Sequence, residues 1–420
     1  MADPADAASG TLDDEAPDDE TLDEALRREV QGWLAANWDP KRRAAAAGGA
    51  GWTTSPEHRA WLAKVVEARW AAPRWPLEWF GRALGDAQAR IVERAFAAVG
   101  APGSGQDRSN LWANTALAHA TASFKASIVP ALLKGEVAMC LLYSEPGAGS
   151  DLAGVRTRAE RAGDHFVVNG QKVWTSGAAT ADYGMLIART DWDAPKHRGI
   201  SFFFLPMKQP GVEVRPLRQI TGESHFNEVF FTDAVAPAEN LLGPLNGGWG
   251  VLQTALAYER SVMGEGARGP RSGLAESAGE EPLIALAREA GRLADPLIRQ
   301  DIARVIGFKR LNALNAARAK ADLAQGTSSP VMSLGKLAMS RILHEEARVR
   351  TAILGPMSLF EGPDYPRAED ANFLTLNAYF TSIGGGTDQI QRNIIGERVL
   401  GLPREPQVDR DAPFRQVRGS

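Results

Sequence analysis

The spacing of apolar residues changes twice along this chain, and those two changes constrain its fold more than any other feature. From Thr21 to about Met139, apolar side chains recur every three to four positions, as in Leu26, Val30, Trp33, Leu34 and again in Trp61, Leu62, Val65, Val66. That spacing lines one face of an α-helix. Pro73, Pro76 and Gly81 interrupt it and predict an ordered loop over 70–81. After Met139 the texture becomes that of strands. Phe166, Val167, Val168 and Val173, Trp174 flank Asn169-Gly170, a pair suited to the positive backbone angles of a tight turn, so 165–176 is predicted to be a β-hairpin. Runs rich in aromatic and branched residues follow over 183–189, 199–206, 212–217 and 228–235. Gly247 and Gly248 close that region, and helical spacing returns, notably over 296–324 and 331–353. The glycine-rich stretch 264–270 reads as a link inside the helical half. At about 150 residues per domain, 420 residues are enough for three units. The expected order is an acidic tail over 1–22, a helical domain over 23–139, a middle β domain over 140–245 and a helical domain over 246–420, an α+β chain.

Composition removes several classes of function. The 47 basic and 51 acidic residues leave a net charge of -4, which argues against holding nucleic acid through a general basic field. Cys140 is the one cysteine, so an intrachain disulfide and a multi-cysteine zinc or iron–sulfur centre are excluded. The six histidines do not pair at metal-ligand spacing on a helix, and no metal is expected. No apolar run approaches the roughly 20 residues of a membrane-spanning helix. The N-terminus carries Asp13, Asp14, Glu15, Asp18, Asp19 and Glu20, whereas secretory and mitochondrial leaders are basic. The expectation is a soluble, cytoplasmic protein with no membrane association.

Helical arithmetic singles out one carboxylate. In a helix over 249–263, Leu252, Leu256, Glu259 and Met263 step by four, three and four, which places Glu259 on the apolar stripe. Desolvation raises a carboxyl pKa toward the range of a general base or acid near neutrality. The plainer reading is a structural ion pair with Arg260 or a distant arginine. A second feature is the small-residue loop Ser144-Glu145-Pro146-Gly147-Ala148-Gly149-Ser150-Asp151 at the helical-to-β junction. Glycines let backbone amides approach a ligand, and the hydroxyls of Ser144 and Ser150 can donate to polar or phosphate oxygens, although most glycine-rich turns bind nothing. The third is Gly384-Gly385-Gly386-Thr387-Asp388-Gln389 before an apolar-periodic helix. Thr387 suits an N-cap there, and the approach reads equally as an anion site or a mere helix entry. A G-x-G-x-x-G match at 264–269 follows a helix rather than a strand, so a dinucleotide reading fails its context. The tryptophans of the N-terminal half suit a core or subunit-contact role rather than ligand stacking. Trp174 is set apart from them, ending a strand beside Thr175 and Ser176.

Together these segments resemble the acyl-CoA dehydrogenase family of flavoproteins over nearly the whole chain. The resemblance is carried by Tyr143-Ser-Glu-Pro-Gly-Ala-Gly-Ser-Asp151, Asn169-Gly-Gln-Lys-Val-Trp-Thr-Ser176, Asn227-Glu-Val-Phe-Phe231 and Gly385-Gly-Thr-Asp-Gln-Ile-Gln-Arg-Asn393. It implies an N-terminal helical domain, a middle β-barrel or sandwich domain and a C-terminal four-helix domain, assembled as homodimers, homotetramers or heterotetramers. It implies FAD, with Leu141, Tyr143, Ser144, Gly149 and Ser150 along the flavin and pyrophosphate. Trp174 would pack on the isoalloxazine, Ser176 would bond near N5, and Thr387 and Gln389 would sit at the nucleotide end. The reaction it implies belongs to fatty acid and lipid degradation: α,β-dehydrogenation of an acyl-CoA to the trans-2-enoyl-CoA, with hydride to flavin N5 and electrons passed to an electron-transferring flavoprotein. Many members carry the base in the loop before the last helix, where this chain has Gly385. A subset places it on the helix after the β domain in a Glu-Arg pair, here Glu259 and Arg260, and that subset includes enzymes for branched and long acyl chains.

Two departures stand out. Arg288-Glu289-Ala290-Gly291-Arg292 replaces an Arg-x-x-Phe-Gly motif, and Ala352-Ile353-Leu354-Gly355-Pro356 replaces Gln-x-x-Gly-Gly. In the family both motifs reach FAD across a subunit interface. The resemblance therefore leaves two further readings: a non-catalytic or half-site subunit of a heteromer, and an oxygen-using oxidase or monooxygenase of the same fold.

Overall fold

The computed structural model describes residues 19–42, 55–263, 281–324, 334–406 and 409–417. Residues 1–18 of the predicted tail and the predicted link over 264–270 lie outside them. The chain divides into two compact units, one of residues 1–114 with 126–137 and the other of 115–125 with 138–420.

The first unit is helical and is built on tryptophan. Its helices are α1 (Asp19–Asn37), α2 (Pro56–Glu67), α3 (Asp86–Val99) and the short α4 (Gln106–Ser109), while α5 (Leu111–His119) and α6 (Ala122–Leu133) contribute residues to both units. Ser55 starts α2 by accepting a hydrogen bond from the His58 amide, with Pro56 at the first helical position. Trp38, Trp61, Trp70 and Trp75 are buried. The Trp33 ring lies 5.5 Å from that of Trp61 and 6.0 Å from that of Phe96. The buried indole N–H groups of Trp38 and Trp61 donate to the carbonyls of Val99 and Pro102 at 3.1 and 2.8 Å, which removes the cost of hiding those donors.

The second unit holds, over the described residues 138–245, eight strands: β1 (Met139–Leu142), β2 (Arg158–Ala162), β3 (His165–Ser176), β4 (Tyr183–Arg189), β5 (Ile200–Pro206), β6 (Val212–Leu217), β7 (Phe226–Pro237) and β8 (Leu241–Leu242). They pair in the order β6-β7-β3-β2-β4-β5-β8, with β1 parallel to β4. The path is open at β6 and β8, so the sheet does not close into a barrel. Phe166 of β3 and Phe203 of β5 are not on neighbouring strands, yet their rings are 5.0 Å apart. The sheet therefore folds over a shared apolar layer in the manner of a sandwich. β4 and β5 are buried almost throughout.

The predicted hairpin over 165–176 is one continuous strand. Chain reversal occurs one turn earlier, between β2 and β3, where Gly163 takes φ 66. Asn169-Gly170 instead sits at a register shift between β3 and β7. Gly170 is needed there for close approach, because a Cβ would stand 2.5 Å from Thr157 Oγ1 and 2.7 Å from its Cα. The same residue pair that suits a tight turn also suits a bulge.

The helices that follow are α7 (Gly248–Met263), α8 (Pro282–Glu289), α9 (Pro296–Ala324), α10 (Leu334–Leu354), α11 (Pro366–Ile383) and α12 (Asp388–Ile394). Leu283 and Leu286 of α8, Ile302 and Val305 of α9 and Val349 and Ile353 of α10 form one buried cluster. Among the described residues no helix is long and apolar enough to cross a membrane.

α7 is set directly against the β structure. His119 Nε2 and Thr254 Oγ1 are 2.8 Å apart, and a Cβ on Gly248 would stand 2.5 Å from the Ser201 carbonyl carbon and 2.6 Å from the Phe202 nitrogen. Ser201 and Phe202 lie on the buried strand β5 and cannot yield cheaply. Gly248→Ala is therefore expected to lever α7 away from β5 at a cost of about 1–3 kcal/mol, read as a lowered melting temperature. An unchanged melting temperature would show that the contact is looser than described.

Candidate active site

The loop after β1 is fixed from behind by a buried ion pair. Glu145 turns inward, where one carboxylate oxygen accepts from Lys172 Nζ at 2.8 Å and from the Thr157 amide at 2.9 Å, and the other accepts from the Arg156 amide at 2.6 Å. Lys172 also donates to the Tyr143 carbonyl at 3.0 Å. The Lys172 side chain is 0% exposed and that of Glu145 is 8%. Burial alone would raise the Glu145 carboxyl pKa, but the Lys172 charge and these hydrogen bonds more than reverse it and hold the group below the usual carboxylate range. At Lys172, burial lowers the ammonium pKa against the pull of Glu145. Two reciprocal backbone bonds between Glu145 and Ala148 close the turn around Pro146-Gly147. Where a Cβ would stand on Gly147 or Gly149 there is nothing within 4 Å, so the outer face of the loop is open.

β3 runs beside this loop, because the Val173 amide donates to the Ser144 carbonyl at 2.9 Å. The β3/β7 register shifts between Lys172 and Thr175, and Trp174 takes φ 62, the left-handed region that a bulky side chain rarely occupies. That backbone turns the indole outward, leaving it 57% exposed, and Ser176 is exposed two residues later. The Trp174 ring meets Phe226 edge-on at 5.8 Å, and Phe226 lies 5.7 Å from Phe380 on α11. This aromatic chain links the end of β3 to the helix that leads into the Gly384–Thr387 loop. Gly385 and Gly386 take φ 65 and 87, and Thr387 caps α12 by accepting from the Ile390 amide, as its position predicts. Asp388 accepts from Lys336 and Ser340 at 3.0 and 2.8 Å, which ties the start of α12 to α10, and Gln389 is exposed.

Glu259 completes the group. On α7, Val251, Leu252 and Ala255 are buried, and Leu256 and Glu259 are half-buried. Glu259 Oε2 is shielded from solvent. The Tyr143 hydroxyl pKa is pushed well up, first by burial and then by the negative charge of Glu259, so that carboxylate lies within electrostatic reach of the loop. The side chains of Arg260 and Met263 lie outside the described residues. The structure thus ties Tyr143 and Ser144 to Lys172 and Val173, directly before Trp174 and Ser176, with Gly149 and Ser150 further along the same loop, and Glu259 acts electrostatically on Tyr143. Leu141 is half-buried on β1, paired with Met185, and Thr387 and Gln389 connect through the Phe226–Phe380 contact.

Sequence reasoning did not assign the Glu145–Lys172 pair. A lysine among the apolar residues of β3 was the available signal.

The residues present suit a flavin dinucleotide. An exposed indole offers a flat face, and Ser144, Ser150 and Ser176 offer neutral donors. Both acids of the loop are engaged elsewhere, Glu145 with Lys172 and Asp151 with Lys196 at 2.7 Å, so an anionic pyrophosphate meets no uncommitted carboxylate from the loop.

Comparison with known proteins identifies the family. Residues 140–234 match the acyl-CoA dehydrogenase middle-domain model, and 246–400 match the C-terminal-domain model of the same family. Acyl-CoA dehydrogenase IpdE1 of Mycobacterium tuberculosis is 35% identical over 393 residues, covering 91% of this chain and 98% of that protein. Acyl-CoA dehydrogenase FadE34 of the same organism is 37% identical over 357 residues, covering 83% of this chain, which spans only 47% of FadE34. Among solved structures, a chain of the ChsE4–ChsE5 complex from Mycobacterium tuberculosis superposes with a TM-score of 0.62 at 28% identity, covering 91% of this chain and 98% of that one. The chain belongs to the acyl-CoA dehydrogenase family of flavin-dependent oxidoreductases.

Proposed function

We propose that this protein dehydrogenates an acyl-CoA thioester between its α and β carbons, with Glu259 as the base and FAD as its cofactor. The observation that carries the reading is a carboxyl oxygen withdrawn from water on α7, with its charge felt at the loop proposed to hold the flavin. Glycine occupies position 385, where much of the family carries its base. Glu259 removes the α-proton at its carboxylate oxygen, one of whose two atoms, Oε2, is shielded from water. When bound, FAD supplies the acceptor for the hydride leaving the β-carbon. Trp174 and Ser176 orient the ring system, Leu141, Tyr143, Ser144, Gly149 and Ser150 line the flavin and pyrophosphate, and Thr387 and Gln389 serve the nucleotide end. Arg260 helps to hold α7 and the charge balance of the site. Electron-transferring flavoprotein is the proposed acceptor.

Anaerobic titration of the purified protein with a panel of acyl-CoA esters tests this reading. Loss of visible flavin absorbance on adding one or more esters is expected, with bulky or branched chains included in the panel. A flavin that no ester bleaches would sink it. Oxygen uptake matching turnover would instead favour an oxidase or monooxygenase.

A second reading, a half-site within a heteromer, is favoured by particular residues. The family's two interface motifs are altered at 288–292 and 352–356. Beside the second, Met357, Leu359 and Phe360 are 48, 86 and 44% exposed, an apolar surface of the kind that subunits cover. The similarity to a chain of a two-protein complex points the same way. Stoichiometric FAD and full activity in the chain purified alone would dispose of this reading.

A further inference from the structure

The C-terminal family model ends at residue 400, and the chain continues beyond it. Residues 409–417 return to the β structure of their own unit. Pro413 forms a β-bridge with Pro195, the Phe414 amide donates to the Ala194 carbonyl at 3.0 Å, and the Arg415 amide donates to the Trp192 carbonyl at 3.0 Å. The Arg415 guanidinium pairs with Asp193. Phe414 is 2% exposed although 404–417 is rich in charged residues. Its ring lies 5.5 Å from that of Trp192, with the Arg189 guanidinium 3.7 Å and the Arg156 guanidinium 5.3 Å from its centre.

Those two arginines govern one short segment. Arg189, wholly buried at the end of β4, donates to the carbonyls of Ala153 at 2.6 Å, Val155 at 3.3 Å and Lys196 at 2.6 Å. Its hydrogen-bond partners are carbonyls rather than carboxylates, and burial lowers its pKa to about 10. The π face of Phe414 therefore offsets charge where water does not reach, the setting in which a cation–π contact contributes most. Arg156 donates its backbone amide to Glu145, the residue that fixes the glycine-rich loop from behind. The Phe414 ring is thus packed on the two arginines that bracket 153–156, and this segment joins the loop to β2.

We infer that residues 409–417 act as a strap that clamps the 144–157 segment in its cofactor-binding position, with Phe414 as the positioning residue. This rests on the proposed FAD reading, in which the first part of that segment, 144–150, lines the flavin and pyrophosphate. The strap packs on Arg189 and Arg156, so it acts by limiting how far the loop and its Glu145 anchor can move. A positioned loop binds without first being ordered, and loss of the clamp therefore appears as weaker FAD binding.

The test compares wild type with Phe414→Ala, Phe414→Leu and a chain truncated after Glu405. Amide hydrogen exchange over 153–157 is measured without cofactor, and FAD affinity is measured by flavin fluorescence. Phe414→Ala and the truncation are expected to speed exchange over 153–157, with α7 unaffected, and to weaken FAD binding by about tenfold or more. Phe414→Leu keeps volume but loses the π face, so it is expected to fall between. It also carries the test should the truncated chain fail to fold. Wild-type exchange over 153–157, or wild-type FAD affinity, in Phe414→Ala would overturn the clamp. If wild type itself binds no FAD, the cofactor reading fails instead, and the exchange measurement still decides whether 409–417 restrains the segment.

Discussion

Glu259→Gln is expected to purify with FAD bound and to lose acyl-CoA-dependent bleaching by roughly 10²–10⁴-fold, the contribution of a positioned general base. Glutamine keeps the shape of the side chain and removes only its ability to accept the proton. The site geometry explains why this residue should matter so much. α7 starts in backbone contact with β5 at Gly248 and is held again through Thr254 and His119, so Glu259 is carried on a helix with little freedom to shift. The carboxyl end reaches a place where its oxygen is out of solvent. The measurement is single-turnover bleaching of wild type and variant under argon with the same ester. If the variant turns over normally, Glu259 is not the base. If it loses its flavin, the experiment has reported binding rather than proton transfer, and flavin content must be matched before rates are compared.

Much of this was legible in the sequence because the informative signals are local. The four-three-four step through Leu252, Leu256 and Glu259 needs only the pitch of a helix, and the structure finds α7 with Leu252 buried and Glu259 half-buried. Thr387 as an N-cap is similarly local. The expected hairpin at Asn169-Gly170 failed because a glycine at positive φ serves turns and bulges alike, and only the distant Thr157 decides between them. Long-range facts left no such trace. The reach of Glu259 to Tyr143, the return of Phe414 to Arg189 and the Trp174–Phe226–Phe380 chain each join residues far apart in sequence, where periodicity carries no information. Helical, β and helical order is set by patterning, whereas the site is set by where the patterned pieces meet.

Lys172→Met is expected to be the most damaging single change to stability among those proposed, at roughly 3–5 kcal/mol, because it leaves the Glu145 carboxylate buried without its cation. Methionine keeps most of the lysine stem, so the loss is of charge and hydrogen bonds rather than packing. In wild type the Glu145 pKa lies below its ordinary value. Between those two values the unfolded chain binds more protons than the folded one, so this contribution is present above the ordinary carboxylate range and is lost as pH falls through the folded pKa. In Lys172→Met the burial that opposes the charge is countered by the Arg156 and Thr157 amides and the more distant Arg189 charge, without the directly bonded ammonium, and protonating Glu145 then relieves a cost instead of removing a benefit. The stability gap between the two proteins should therefore narrow as pH falls through the carboxylate range. Urea denaturation at a series of pH values measures that gap directly. A gap independent of pH would mean that the damage comes from packing, and the ion pair would then have no part in holding the loop.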